Sequence, residues 1–422
     1  MSLPLLNDFA PGSTIDASEE TSVIQPGHSG TRPPVITRGE LEYFPPMPSL
    51  RSRPLAAIAW LVRACVAIPC GVMLLAIGAT IPIVNVYVLG CLMEIQGQVA
   101  RTGKFRTAFW GLPLALRLGI IALAVTLWLL PIELLAALHR DTHVLAPGNA
   151  KDWLVAITLV IASVVIATNL ALAIAGGGRW WQFLRPIQNI RQQLDRHSRV
   201  RFWQQATRQI NQFVAAISFI RLLRLGILAY AAAYLWLAIP TFLFTLLDDV
   251  TIRWQWFGFA TGCAMLTVTL MWLPFLMAHV AAERRTGAMF EMRTVYELAA
   301  RTPLCWSMST AFLIASSVLT LLYTALVKNV LPPHVFRWDL MAVFLVTMIP
   351  ARILVGRAYH RATTQPPTRP KWSTRIWRWS NIAALSVGMG YYVYFLYLAQ
   401  TGGELGQNAV WQFPSVLQPF LY

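Results

Sequence analysis

Long apolar runs separated by short, mostly basic segments pattern the chain between residues 55 and 398. The runs cover about 55–79, 81–96, 112–138, 153–175, 222–247, 256–280, 307–327, 340–355 and 381–398. A helix needs roughly 17 to 25 apolar residues to cross a bilayer, where its backbone polar groups must be bonded within the segment. The prediction is therefore all-α: a polytopic transmembrane helix bundle of about nine spans. The second run is short and follows the first after almost no loop. It is a short span or a re-entrant arm, and the latter leaves eight spans. Arg101, Lys104 and Arg106 come next, and a basic segment belongs on the cytoplasmic side, which favours the span.

The segment 179–224 has a different pattern. It carries nine arginines, no lysine and one acidic residue, Asp195. Phe183, Ile187, Ile190, Leu194, Trp203, Ala206, Ile210, Phe213, Val214 and Ile217 nevertheless recur at helical spacing. An apolar face opposite a basic one predicts a cytoplasmic amphipathic helix lying on an anionic membrane surface. Arg191, Arg196, Arg199 and Arg201 are the candidates for binding anionic lipid headgroups. A second cytoplasmic segment, 283–301, mixes Glu and Arg and is also read as an amphipathic helix. The longer outer loops hold only Arg140, Lys151, Arg253, Lys328 and Arg337. Most other basic residues beyond residue 100 fall inside, which sets the N-terminus in the cytoplasm and the C-terminus outside.

Composition agrees with that threading. Of 422 residues, 56% are hydrophobic and 12% charged, where a soluble domain is about a quarter charged. The net charge of +16 is distributed between apolar runs, as lipid contact requires, and nucleic acid is not an expected partner. Residues 1–53 lack apolar periodicity, hold six of the eighteen acidic residues, and are expected to form a disordered cytoplasmic tail. The first apolar run begins too late for a cleavable signal peptide. Residues 54–398 form the transmembrane domain, and 399–422 an extracytoplasmic tail. Cys65, Cys70, Cys91, Cys263 and Cys305 form no CxxC pair and are read as small buried hydrophobes. Arg117-Leu118-Gly119-Ile120 matches Arg224-Leu225-Gly226-Ile227, and Arg101-Thr102-Gly103 matches Arg285-Thr286-Gly287. Duplication and chance likeness among similar helices both remain open.

Ionisable groups inside spans are unfavourable unless they serve a purpose. Here they are Arg63, Glu94, Arg117, Glu133, His279 and Arg352. Most lie within about two turns of a run end, so anchoring at the interface is the simpler account. Asn85, Glu94, Glu133 and Asn169 are the candidate intramembrane polar site, with Arg63 or Arg117 as possible partners of Glu94. His139 and His143 share a helix face at metal-ligand spacing, but Asp141 would point elsewhere, so no metal is assigned. No phosphate-binding loop, nucleophile elbow or HExxH motif occurs, and neither catalytic residues nor a cofactor are assigned. Pro82, Pro131, Pro240, Pro274 and Pro350 mark broken helices or packing kinks. Gly258 to Gly262 fits a small-xxx-small contact.

Two stretches resemble a family of bacterial multi-pass membrane proteins whose shared domain has no assigned function. One is Ile81-Pro82-Ile83-Val84-Asn85 through Gly90, followed by Gly97-Gln98-Val99-Ala100-Arg101-Thr102-Gly103. The other is Pro274-Phe275 through Ala281-Ala282-Glu283-Arg284-Arg285, followed by Phe290-Glu291-Met292-Arg293. Met348-Ile349-Pro350-Ala351-Arg352 is similar to that family's closing stretch. The likeness covers 55–398 and implies a bacterial inner-membrane protein, with no catalytic residues carried over. The expected function is a non-enzymatic transport or permease-like component. The alternative is a membrane scaffold or interaction protein binding anionic lipids. A lipid-modifying enzyme built on His139, Asp141 and His143 ranks third. A watery cavity lined by the four candidate polar residues would favour transport, and a tightly packed bundle would favour the scaffold.

Overall fold

The computed structural model describes residues 48–49, 53–145, 147–176, 178, 180–194, 196–245, 253–328, 338–365 and 372–401. Every regular element among them is helical. In chain order these are α1 (Pro54–Ala79), α2 (Pro82–Thr102), a 3-10 helix (Phe105–Phe109), α3 (Leu112–Leu145), α4 (Ala150–Ala175), α5 (Trp180–Phe183), α6 (Pro186–Leu194) and α7 (Arg196–Ile217). They continue with α8 (Phe219–Phe244), α9 (Arg253–Glu283), a second 3-10 helix (Thr286–Phe290), α10 (Met292–Arg301), α11 (Pro303–Lys328), α12 (Trp338–Thr364) and α13 (Trp372–Thr401). Among the described residues, eight stretches are long and apolar enough to cross a membrane, one each in α1, α2, α3, α4, α8, α9, α11 and α12. The chain is an all-α polytopic helix bundle. The run 381–398 lies within α13, which packs against α9 and α11 and is not one of the eight. Most of the expected tails, 1–53 and 399–422, lies outside the described residues.

Several elements outrun their apolar runs. α2 continues past Gln96 to Thr102 and reaches 21 residues. α3 continues to Leu145, so His139, Arg140 and His143 are helical and do not form a loop. α12 extends to Thr364 and is a full 27 residues. The segment 179–224 is not one helix. It breaks after Phe183, again between the helix that ends at Leu194 and the one that starts at Arg196, and at Ser218, whose φ of 49° is left-handed. The segment 283–301 divides into a 3-10 helix and the short α10. Pro82 opens α2 at a position where its missing N–H is harmless, whereas the other four prolines lie inside helices that run on through them.

α2 is the axis of the bundle, packed against α1, α8, α9 and α12. In its most apolar stretch 72% of residues are buried, against 6% for α3, which touches chiefly α1 and α4. The main apolar core joins α2, α8, α9, α11, α12 and α13. Gly90 of α2 and Gly226 of α8 set the closest crossing. A Cβ on Gly90 would collide with the Leu222 carbonyl, and one on Gly226 with the Val86 carbonyl. In lipid, such glycines let helix backbones approach closely enough for dispersion to hold them. Gly262 likewise meets the backbone of Leu243 and Phe244, so the 258–262 pattern does lie at a helix contact.

The repeated triplets occupy different places. Arg101 and Thr102 end a helix, whereas Arg285 and Thr286 lead into a 3-10 turn. A different equivalence emerges: α2 ends on Gly103 (φ 65°) and α9 on Arg284 (φ 55°), and each is followed by a five-residue 3-10 helix ending in Phe. Of the cysteines only Cys91 is buried, and Cys65 is exposed.

Candidate functional site

Polar groups gather where α2, α9 and α12 finish together. The Glu94 side chain is 1% exposed, and the Arg284 guanidinium donates to both of its oxygens, with Oε2 at 2.7 Å. Gln98 Nε2 donates to Oε1 at 2.7 Å, and Arg101 Nη2 lies 3.5 Å from the same oxygen. Arg101 also donates to the Ala281 and Ala282 carbonyls at 2.9 and 3.2 Å, capping the end of α9. These partners replace the expected Arg63 and Arg117. Arg284 adopts a backbone conformation that disfavours any side chain with a Cβ, and in doing so carries its guanidinium to Glu94.

A second layer adjoins it. His279 Nδ1 is 2.7 Å from the Tyr359 hydroxyl, and Nε2 is 2.9 Å from Glu291 Oε2. A neutral imidazole satisfies both, accepting from the tyrosine and donating to the carboxylate. Arg285 Nη2 reaches Glu291 Oε1 at 2.7 Å. The His279 hydrogen bond, and then the Arg285 charge, hold the Glu291 carboxyl below the usual carboxylate range. The order hydroxyl, imidazole, carboxylate suits proton relay, but Tyr359 is buried, so its hydroxyl meets no dissolved substrate. The arrangement works as a latch joining the start of α10 to α9 and α12.

Arg352 is not an interface anchor. It is 3% exposed inside α12, donates to Gln96 Oε1 at 3.0 Å and touches Met93 Sδ at 3.3 Å. Gln96 in turn donates to the Pro274 carbonyl at 3.4 Å. Arg63 and Glu133 are exposed.

The four candidate polar residues do not form one site. Asn85 caps the Ala79 carbonyl at 2.9 Å across the α1–α2 turn and accepts from Tyr230 at 2.8 Å. Glu94 lies nine residues on, about 14 Å along α2. Asn169 of α4 accepts from Asn189 at 3.2 Å, which ties α6 down. Glu133 stands on the exposed face of α3. At the other hairpin end, His143 Nδ1 is 3.0 Å from Asp152 Oδ2 and His139 Nδ1 is 3.2 Å from Oδ1. Asp152, not Asp141, is the acid between them. Among the described residues no group of three or more His, Cys, Asp or Glu is arranged to hold a metal. A small pocket between Trp272, Tyr296, Pro303, Trp306 and Ile382 contains none of the candidate polar residues.

Arg191 is exposed on α6, while the side chains of Arg196, Arg199 and Arg201 on α7 lie outside the described residues. α7 has three faces. Ala206 and Ala216 are buried, and Ala216 meets Leu114 of α3 in a small apolar cluster against which Phe213, Ile217 and Leu118 pack. Val200, Trp203, Ile210 and Val214 form an exposed apolar stripe. Gln204, Arg208 and Asn211 lie on the exposed polar side. No protein-family model, curated protein or solved structure matches the chain.

Proposed function

We propose that the chain is a non-enzymatic scaffold of the bacterial cytoplasmic membrane that gathers anionic lipid headgroups on its cytoplasmic face. The observation that carries this is α7. Its exposed stripe of Val200, Trp203, Ile210 and Val214 borders both a face packed on the bundle and a polar face bearing Arg208. A helix so divided lies in the interface, with apolar side chains among acyl chains and arginines among headgroups. Each arginine near an anionic surface contributes about 1 kcal/mol. The likeness of 81–103 and 274–293 to a bacterial multi-pass family, and the sorting of arginines between segments, support this location with the N-terminus inside.

The permease-like role takes second place. Buried Glu94 and Arg352 favour it, because charges inside a bundle often mark a transport path. Against it, Asn85, Glu94 and Asn169 are each bonded to protein groups. Native mass spectrometry of the full chain extracted with its lipids separates the two. The scaffold retains several anionic lipids, and replacing Arg191, Arg196, Arg199 and Arg201 by Gln removes most of them. Unchanged anionic lipid retention in that variant would overturn the lipid reading. A discrete bound solute would turn attention to transport.

A further inference from the structure

Glu133 is an acid with apolar surroundings on a face of α3 that the described residues leave open. It lies six residues below His139, about 9 Å on the membrane side of the His139–His143–Asp152 clamp. Leu127 and Leu130 are exposed below it, and Leu134 and Leu138 are exposed between it and the clamp. The lipid-contacting zone therefore continues on both sides of the carboxyl. Glutamate lacks the long stem by which lysine or arginine reaches the headgroups. Among the described residues, no hydrogen bond or ion pair reaches it. Arg140, on the same face, turns its Nε to the Ala136 carbonyl at 3.3 Å.

Acids inside a bilayer face a partner or water, and among the described residues none offers Glu133 a partner. We propose that the Glu133 face of α3 docks a transmembrane helix of another protein, one that presents a basic side chain at the same depth. Charge selects this occupant. A second copy meeting this face about a two-fold axis would bring Glu133 against Glu133, the wrong sign for association. The inference deepens the scaffold reading and rests on it, naming what is held within the membrane.

The test places the full-length chain in vesicles of zwitterionic lipid only, so that headgroup binding by α5–α7 plays no part. A labelled Leu/Ala transmembrane peptide carrying one arginine at the matching depth is titrated by energy transfer, beside the same peptide with leucine there. The arginine peptide should bind the native chain about tenfold more tightly than it binds Glu133→Leu, the range one interhelical polar contact supplies. The leucine peptide should not distinguish them. Glu133→Leu puts an apolar residue on a lipid-facing position, and its helix content by circular dichroism checks that it folds. Equal affinity for the two chains would overturn the proposal. So would self-association of the native chain that Glu133→Leu abolishes, or a severalfold gain in Arg140→Gln, which would show the carboxylate already paired. Peptide binding as expected here, with anionic lipid retention unchanged in the variant that replaces Arg191, Arg196, Arg199 and Arg201 by Gln, would instead count against the headgroup reading alone.

Discussion

At the scale of single residues, Arg284 and Glu94 explain each other. The left-handed backbone at Arg284 would suit glycine, and a side chain there is disfavoured by roughly 1–2 kcal/mol. The fully buried Glu94 makes the arginine worth keeping, because a carboxylate that loses its partner in the core is destabilising. With Arg284 still partly solvated, Glu94→Gln should destabilise the fold by about 2–3 kcal/mol. The sharper expectation is a reversal of sign. Arg284→Gly should destabilise the native chain, yet stabilise the Glu94→Gln chain by about 1 kcal/mol, since only the backbone strain is then left to relieve. Unfolding midpoints of the four proteins in one detergent measure this, and additive effects would refute the coupling. Little of this site was legible in the sequence. Glu94 stood out as an acid in an apolar run, but Arg284 is 190 residues away, and periodicity does not say which helices become neighbours. Arg352 and His279 are buried, although their places in the sequence suit anchoring at the interface. They sit near the ends of apolar runs, but the helices continue beyond those runs.

The same physics acts on whole elements. Apolar runs located every described span, because lipid leaves a helix no other way to bond its backbone. They failed at the ends. α2 continues past Gln96 because Gln98 and Arg101 find partners on Glu94 and the end of α9, so polarity there marks contact between helices, not an exit into water. α3 continues past Leu138 because His139 and His143 are met by Asp152 of α4. The break at Ser218 was invisible, since a single left-handed residue leaves the apolar period almost untouched. What fixes α2 at the centre is its fit to α8 at Gly90 and Gly226. Gly90→Ala must push back the α8 backbone at Leu222 and should cost about 2–3 kcal/mol as overpacking. Gly388→Ala is the matching control in α13, where a Cβ meets nothing within 4 Å, and should stabilise by about 0.5–1 kcal/mol through helix propensity. Thermal unfolding followed by tryptophan fluorescence checks both, and an equal effect at the two glycines would contradict the close crossing.

At the scale of the molecule, contacts sort the charges toward two ends. Arg101 and Arg284 meet where α2 and α9 finish, His360 bonds the Ala100 carbonyl there, and Arg361 touches Cys305 at the start of α11. Arg221 stacks over Trp110 where α8 begins. The hairpin end of α3 and α4 carries the His139–His143–Asp152 clamp, and Tyr323 bonds Asp339 where α11 gives way to α12. Cytoplasmic loops hold the excess of arginine and lysine, so the end bearing Arg101 and Arg284 should face the cytoplasm. Single cysteines in a cysteine-free chain put this to the test with a membrane-impermeant maleimide. His143→Cys should label in intact cells, and Arg191→Cys only after permeabilisation. The opposite pattern would invert the threading. Thr401→Cys decides the count of crossings. If α13 crosses as a ninth span, residue 401 lies on the same side as residue 143 and labels with it. If it labels with residue 191 instead, the chain crosses eight times, and the apolar run 381–398 serves only to cover α9 and α11.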